Sequence, residues 1–142
     1  MINRTEAQEQ AAVIQWAAYN ESRYPCLKWL FHIANGGSRN KREAANLKKQ
    51  GVKPGVSDLF LPWNNGQHCG LFIEMKRQGG RISEKQSEFI SDMNKSGYKA
   101  VVCYGAEQAI NALKKYLKPL DNSFDVEIIF KEEDEKEKSR QR

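Results

Sequence analysis

Hydrophobic positions recur at helical spacing in four segments of the chain, and capping patterns or glycines mark where they begin or end. These patterns predict helices over residues 6–20, 40–50, 84–96 and 106–117. The first helix presents Ala11, Ile14 and Ala18 on one face, and the last presents Ala109 and Leu113. Because an apolar face of this kind needs a partner surface, we expect the helices to pack against a sheet.

Strands are predicted between these helices. Residues 24–33 alternate in polarity, and residues 98–104 form a β-branched run typical of a buried strand. Two short apolar runs, 58–61 and 69–73, flank a segment rich in turn formers, which predicts a β-hairpin. If the second hairpin strand extends to residue 76, the following helix and strand complete a βαβ crossover with two parallel strands. The predicted fold class is therefore α/β, with a mixed β-sheet flanked by helices.

The chain length fits one domain, which we place at residues 1–118. Residues 119–123 have the composition of a linker, and residues 124–130 (FDVEIIF) could form a small extra strand. The remaining residues, 131–142, are too highly charged to be buried and are expected to be disordered or a frayed helix.

Three charged residues lie where a buried hairpin should carry none: Asp58, Glu74 and Lys76. If the hairpin is symmetric about Gly66, the two carboxylates face each other with their Cβ atoms about 5 Å apart. Glu74 and Lys76 are two residues apart and therefore project from the same face. Burying these charges is costly unless a ligand binds there, and two carboxylates favour a divalent cation. A strand-entry aspartate beside a solvated strand edge leaves the same pattern, so the hairpin alone leaves both interpretations open.

The formal net charge is +5, with the basic residues concentrated in the first 120 residues and an acidic C-terminal segment. A basic body favours a polyanionic partner, although a solvated surface has the same composition. The N-terminal sequence lacks the apolar stretch of a secretory signal, and no apolar run approaches the roughly 20 residues that span a bilayer. Three widely spaced cysteines without a CxxC pair favour a reducing, cytoplasmic setting, with each thiol buried and free.

Several sequence blocks follow one another in a fixed order. After an N-terminal helix with acids and Gln-Ala-Ala-Val, they are His32-Ile-Ala-Asn-Gly-Gly37, Gly51-Val-Lys-Pro-Gly-Val-Ser-Asp58, Gly70-Leu-Phe-Ile-Glu-Met-Lys76, Gly79-Gly-Arg-Ile-Ser-Glu-Lys-Gln86 and Gly97-Tyr-Lys-Ala-Val-Val-Cys-Tyr-Gly105. In combination they resemble the VRR-NUC family, the virus-type replication-repair nucleases of the PD-(D/E)XK superfamily, over about residues 4–118. Ala34 and Ser57 stand where that family usually has prolines, which bears on loop rigidity rather than on metal ligands.

The resemblance implies a PD-(D/E)XK (restriction-endonuclease-like) fold and a Mg²⁺- or Mn²⁺-dependent deoxyribonuclease that leaves 5′-phosphates. It also implies that Asp58, Glu74 and the backbone carbonyl of Met75 bind the metal. Oxygen ligands of this kind suit Mg²⁺ or Mn²⁺ rather than zinc. Lys76 would orient the attacking water or stabilise charge in the transition state.

Two further site residues depend mainly on the resemblance. Gln86 is expected to act at the active site, but it also fits the N3 position of a capping box with Ser83, and one rotamer is expected to serve only one of these roles. Glu9 is the choice for an additional catalytic and metal-binding acid, with Glu6 as the alternative. Acids in the first turn of a helix also complement its dipole, which is the structural explanation for both.

Basic residues around the second helix and after the hairpin fit phosphate contacts without base readout, although a solvated surface explains any single one. Small residues near the active-site rim would let a DNA backbone approach closely. The expected DNA-binding set is Asn35, Gly36, Gly37, Arg39, Lys41, Arg42, Lys53, Arg77 and Arg81.

Stand-alone VRR-NUC proteins resemble Holliday-junction resolvases, which implies cleavage of branched DNA in replication, recombination or repair. A junction has two-fold symmetry, so paired cuts favour a homodimer with two active sites. The small stand-alone form implies a phage or prophage origin and the cytoplasm of a bacterial host. Three alternatives stay open: a restriction-type endonuclease, a non-catalytic DNA-binding module on the same fold, and an interaction protein that recruits a partner through its charged tail.

Overall fold

A computed structural model describes residues 4–34, 40–121 and 137–141 of the chain. The elements follow in the order α1 (Glu6–Tyr19), a 3₁₀ helix (Pro25–Trp29), β1 (Phe31–His32), α2 (Lys41–Lys49), β2 (Leu59–Leu61), β3 (Leu71–Lys76), α3 (Glu84–Lys95), β4 (Lys99–Tyr104), α4 (Ala106–Leu117) and a second 3₁₀ helix (Lys118–Leu120).

Within the described residues, four strands form one mixed sheet in the order β1-β2-β3-β4. The β1–β2 and β2–β3 pairs are antiparallel, and β3–β4 is parallel. Helices α1 and α4 cover one face, where their apolar residues pack with Leu71, Ile73 and Met75 of β3. Helix α3 covers the opposite face, where Phe89 contacts Phe72 edge to face. The predicted mixed α/β sheet with flanking helices and a parallel crossover is confirmed.

The buried face of α1 differs from the one expected. Val13 and Ala17 are buried, whereas Ile14 is 36% exposed, and Ala11 and Ala18 face solvent. Small apolar residues occur all around this helix, so its periodicity does not single out one face. Val13 and Ala17 are four residues apart and therefore form the stripe that meets the core. The predicted face of α4 is confirmed, because Ala109 and Leu113 are fully buried.

The predicted strand over residues 24–33 is wrong for most of its length. A 3₁₀ helix begins at Pro25, and Leu27 and Leu30 close i→i+3 hydrogen bonds to Tyr24 and Leu27. Proline at the first helical position has its φ pre-set for a helical turn and lacks the N–H that a strand ladder needs. Only two residues at the end of the segment enter the sheet, as β1.

The core extends two residues past the predicted domain boundary, because Leu120 packs in it. Asp121 then accepts a hydrogen bond from the Tyr24 hydroxyl and pairs with Arg23. The possible strand over residues 124–130 lies outside the described residues, as does most of the charged tail, apart from a helical turn at 137–140.

The three thiols do not share one environment. Cys26 and Cys103 are buried, and burial raises the pKa of each to about 11, which keeps both protonated. Cys69 is exposed, contrary to expectation, because it lies in the connection before β3 rather than in the strand. No helix among the described residues is long and apolar enough to cross a membrane.

Candidate active site

The β2–β3 register places Asp58 opposite Glu74. Leu59 pairs with Ile73, and continuing this antiparallel ladder by one residue brings the two acids together, as the symmetric hairpin predicted. Asp58 precedes the first residue of β2, so no ladder hydrogen bond from β2 reaches the Met75 amide. Instead, Asp58 Oδ2 accepts a hydrogen bond from the Met75 N–H at 2.8 Å. This contact fixes the carboxylate at the end of the strand pair.

Glu74 is only 3% exposed and has its two carboxylate oxygens in different environments. Oε1 accepts a hydrogen bond from Gln86 Nε2 at 3.1 Å and lies 3.4 Å from Lys76 Nζ. Oε2 is buried and has no hydrogen-bond partner among the described residues. Burial, reinforced by the negative charge of Asp58 and opposed by Lys76, raises the pKa of Glu74 to about 7. A buried carboxylate oxygen without a donor suits direct contact with a cation.

Gln86 makes the capping contact and reaches Glu74 with one and the same rotamer. Its backbone N–H donates to Ser83 Oγ, and its side-chain Oε1 accepts from the Ser83 N–H, which completes a capping box. Its Nε2 simultaneously donates to Glu74. The expectation that one rotamer could serve only one role is wrong, because the side-chain amide has an acceptor at one end and donors at the other.

The Met75 carbonyl points toward the same open edge of β3 as Asp58. In a strand, the N–H and C=O of one residue point toward the same neighbouring strand, and those of the next residue point toward the strand on the other side. The Met75 N–H faces Asp58, so the Met75 carbonyl faces that side as well. The Lys76 carbonyl turns the other way, toward β4, where it accepts from the Gly105 N–H. The Arg77 N–H therefore returns to the Asp58 side, where Glu6 Oε1 accepts its hydrogen bond at 3.2 Å. The Met75 carbonyl thus lies between the backbone groups held by Asp58 and Glu6.

Glu9 lies elsewhere. Its Oε2 accepts a hydrogen bond from the Ala106 N–H at 2.7 Å, so it caps the first turn of α4. The choice of Glu9 over Glu6 as the additional acid is not supported by this placement. Both acids are in the first turns of α1, and the position of that helix against the end of β3 brings Glu6, rather than Glu9, to the edge shared with Asp58.

The donor set fits a hard divalent cation. Asp58 and Glu74 supply two carboxylates, and the Met75 carbonyl supplies a neutral oxygen, all of the ligand type that Mg²⁺ and Mn²⁺ prefer. Within the part of the chain that the structure describes, no three His, Cys, Asp or Glu side chains gather into a metal cage. Mg²⁺ sites in proteins commonly have one or two carboxylate ligands and keep several waters.

His32 supports the backbone of the site. Its Nδ1 lies 2.7 Å from the carbonyl oxygen of Asp58, which also accepts a hydrogen bond from the Ile33 N–H. A carbonyl can only accept, so Nδ1 carries the proton of the His32 ring. The contact anchors the residue that carries one of the two carboxylates.

The predicted DNA-binding residues fall into two groups. Lys41 and Arg42 are on the exposed surface of α2, a helix with no buried residue, and Lys53, Arg77 and Arg81 are also exposed. The other four, Asn35, Gly36, Gly37 and Arg39, lie outside the described residues. Arg77 directly follows β3, the strand that carries Glu74.

The chain matches the VRR-NUC domain family over residues 4–107. A solved structure described as a VRR_NUC domain protein superposes with a TM-score of 0.69 and 28% sequence identity, over 83% of this chain and 92% of the other. No protein with a curated description matches the chain. The matched region contains every side chain of the site described above, from Glu6 to Gln86.

Proposed function

Since the chain belongs to the VRR-NUC domain family of nuclease-type domains and has its restriction-endonuclease-like fold, we propose that it is a Mg²⁺- or Mn²⁺-dependent DNA endonuclease. The observation that carries this proposal is the buried Glu74 carboxylate, which has one oxygen without a donor and the second acid, Asp58, beside it. A fold that only bound DNA would gain nothing from placing two carboxylates side by side with one buried oxygen left without a donor.

Asp58, Glu74 and the Met75 carbonyl would hold the metal, and Glu6 would be the additional acid, because it contacts the Arg77 N–H on the Asp58 side of β3. When bound, Mg²⁺ or Mn²⁺ neutralises charge on the scissile phosphate and lowers the pKa of water. The hydrogen bonds from Met75 N–H to Asp58 and from Gln86 Nε2 to Glu74 keep both carboxylates in place before substrate arrives. Such pre-organisation reduces the reorganisation that the reaction would otherwise require.

Lys76 would provide the positive charge that the transition state needs. Its Nζ lies 3.4 Å from Glu74 Oε1, and its side chain is largely buried. From this position the ammonium group can hold a water molecule in line with the phosphorus or stabilise the developing negative charge. Attack that expels the 3′ oxygen would leave a 5′-phosphate and a 3′-hydroxyl.

The preferred substrate, in this proposal, is branched DNA. The exposed basic residues at Lys41, Arg42 and Arg77 fit contacts to phosphates, which position a duplex without reading its sequence. A four-way junction has two-fold symmetry, so two coordinated cuts favour a homodimer. Size measurement in solution tests that part, because a monomer with full junction activity would contradict the symmetry argument.

The test is a cleavage assay with Mg²⁺ on four-way junctions, flaps, single strands and linear duplex. The proposal predicts cleavage of branched DNA by the wild type and its loss in Glu74→Ala and Lys76→Ala. Binding without cleavage of any substrate would point instead to a non-catalytic DNA-binding module. Cutting of linear duplex at a fixed sequence would point to a restriction-type endonuclease.

A further inference from the structure

Aromatic side chains form a row across three strands on the face that carries the acids. Phe31 of β1 pairs with Phe60 of β2, and Phe60 pairs with Phe72 of β3. Directly paired residues share a face, so all three rings lie on the same side of the sheet. Their contacts are continuous: Phe31 meets Phe60 edge to face at 5.9 Å between centroids, and Phe60 stacks on Phe72 at 4.1 Å.

This aromatic row adjoins the carboxylates. Asp58 and Glu74 each lie two residues from a ring of the row, on β2 and β3, and alternate residues face the same side. Two residues along a strand span about 7 Å. The distance from the acids to the row is therefore comparable to the distance between a phosphate and the base of an adjoining nucleotide.

One end of the aromatic row is buried and the other is exposed to solvent. Phe72 is 8% exposed, because Phe89 of α3 and Tyr98 pack against it. Phe31 is 46% exposed and lies on β1, the last strand at that edge of the described sheet. Single exposed apolar residues are common on protein surfaces, but this one ends a packed series of rings beside the proposed metal site.

We propose that Phe31 and the rim of Phe60 form a stacking platform for one unpaired nucleobase next to the scissile phosphate. This inference rests on the proposed function, because that function places a phosphate at the neighbouring acids. The occupant must combine a flat apolar group with an adjacent phosphate, and a nucleotide has both. A base in duplex is already stacked on its neighbours, so only a splayed or single-stranded nucleotide can use the platform. The bound substrate would then present at least one splayed or single-stranded nucleotide at the cut.

The test measures binding rather than cleavage, using forked DNA and Ca²⁺, which takes the same oxygen ligands as Mg²⁺. Abasic residues replace the nucleotides around the branch one at a time. At one position, the wild type should lose about 5- to 150-fold in affinity, the range for one base stacked on an aromatic side chain. Phe31→Ala should lose as much on intact DNA and become insensitive to that abasic residue. Phe31→Trp should restore the wild-type pattern, and Phe31→Leu should not.

Tyr19→Ala is the matched control, because Tyr19 is an aromatic residue that is 78% exposed at the end of α1, on the opposite layer. It should bind every fork like the wild type. Equal affinity of Phe31→Ala and wild type for intact forks would overturn the platform, as would an abasic effect that persists in Phe31→Ala. A change of oligomeric state in Phe31→Ala would also overturn it, since a second copy would then be the occupant. Failure of the wild type to bind any DNA would contradict the proposed function itself.

Discussion

Gln86 Nε2 donates a hydrogen bond to Glu74 Oε1 at 3.1 Å, while the other end of the same amide closes the capping box of α3. One side chain therefore ties the first turn of a helix to a buried carboxylate. The capping contact holds the amide in the orientation that presents its N–H group to Glu74. A helix start, which is ordinarily a feature of stability, here also positions the acid that we propose binds the metal.

Separating the two contacts of Gln86 gives the first prediction. Gln86→Ala removes both, whereas Ser83→Ala removes the cap hydroxyl and leaves the amide on Glu74. Each variant should lose about 1 kcal/mol of unfolding free energy, the usual cost of a lost cap. Only Gln86→Ala should lower the cleavage rate, by about 10- to 100-fold, the range for groups that orient a metal ligand. Equal rates in the two variants would mean that Gln86 acts through helix stability alone.

The loop that leads to Asp58 is held against the same helix start. Gly55 has φ +88°, and a Cβ added there would lie 2.5 Å from the carbonyl oxygen of Lys85, the residue before Gln86. Gly55→Ala should therefore push α3 away from the loop and move Gln86 from Glu74. We expect a loss of more than about 1 kcal/mol in unfolding free energy together with slower cleavage. Urea denaturation and single-turnover cleavage measure the two effects.

Gly66→Ala is the control for Gly55→Ala. Gly66 has nearly the same φ, +90°, but a Cβ there would meet nothing within 4 Å. It should show the cost of backbone strain, about 1 kcal/mol, and keep the wild-type cleavage rate. If Gly66→Ala slowed cleavage as much as Gly55→Ala, contact with Lys85 would not be the cause.

Removing Glu9 should affect mainly stability, whereas removing Glu6 should affect mainly cleavage. Glu9→Ala removes the carboxylate that caps α4 at Ala106, so it should cost about 1 kcal/mol of stability and leave cleavage unchanged. Glu6→Ala should leave stability near wild type. It should raise the Mg²⁺ concentration needed for half-maximal cleavage about 10-fold. Metal titrations of cleavage measure this, and an inactive but stable Glu9→Ala would reverse the assignment.

Glu74 should make the metal-free protein less stable as pH rises. Its pKa is about 7 in the fold against 4.5 in the unfolded chain, so the folded state binds the proton more tightly. The resulting stabilisation is complete below pH 4.5 and is lost as pH rises through about 7, amounting to about 3 kcal/mol. Urea denaturation in EDTA should show this fall, and Glu74→Gln should remove it. Mg²⁺ should stabilise the wild type increasingly as pH rises, because it binds the ionised carboxylate.

The hairpin and its acids could be predicted from sequence because their geometry is local. Strand residues alternate in facing, and a turn centred on Gly66 fixes which residues pair, so Asp58 and Glu74 had to meet. The family blocks then assigned the fold correctly, since they fix the order of elements along most of the chain.

Features that depend on tertiary position could not be predicted in this way. Whether Glu6 or Glu9 lies on the Asp58 side of β3 depends on how α1 packs on the sheet, and residues three apart on one helix do not reveal it. The alternation in residues 24–33 suggested a strand, but Pro25 favoured a helical turn. The contact of Gly55 with Lys85 joins a loop to a helix about thirty residues later, and only the presence of glycine hints at it.

The central claim is that Glu74 and Asp58 hold a divalent cation that DNA cleavage requires. It is tested most directly by the cleavage rate of a branched DNA as a function of Mg²⁺ concentration, for wild type and for Glu74→Gln, which keeps the shape of the side chain without its charge. We predict no cleavage by the wild type in EDTA, a saturable rise with Mg²⁺, and no cleavage by Glu74→Gln at any Mg²⁺ concentration. Wild-type cleavage that persists in EDTA, or a Glu74→Gln variant as active as the wild type, would contradict the claim.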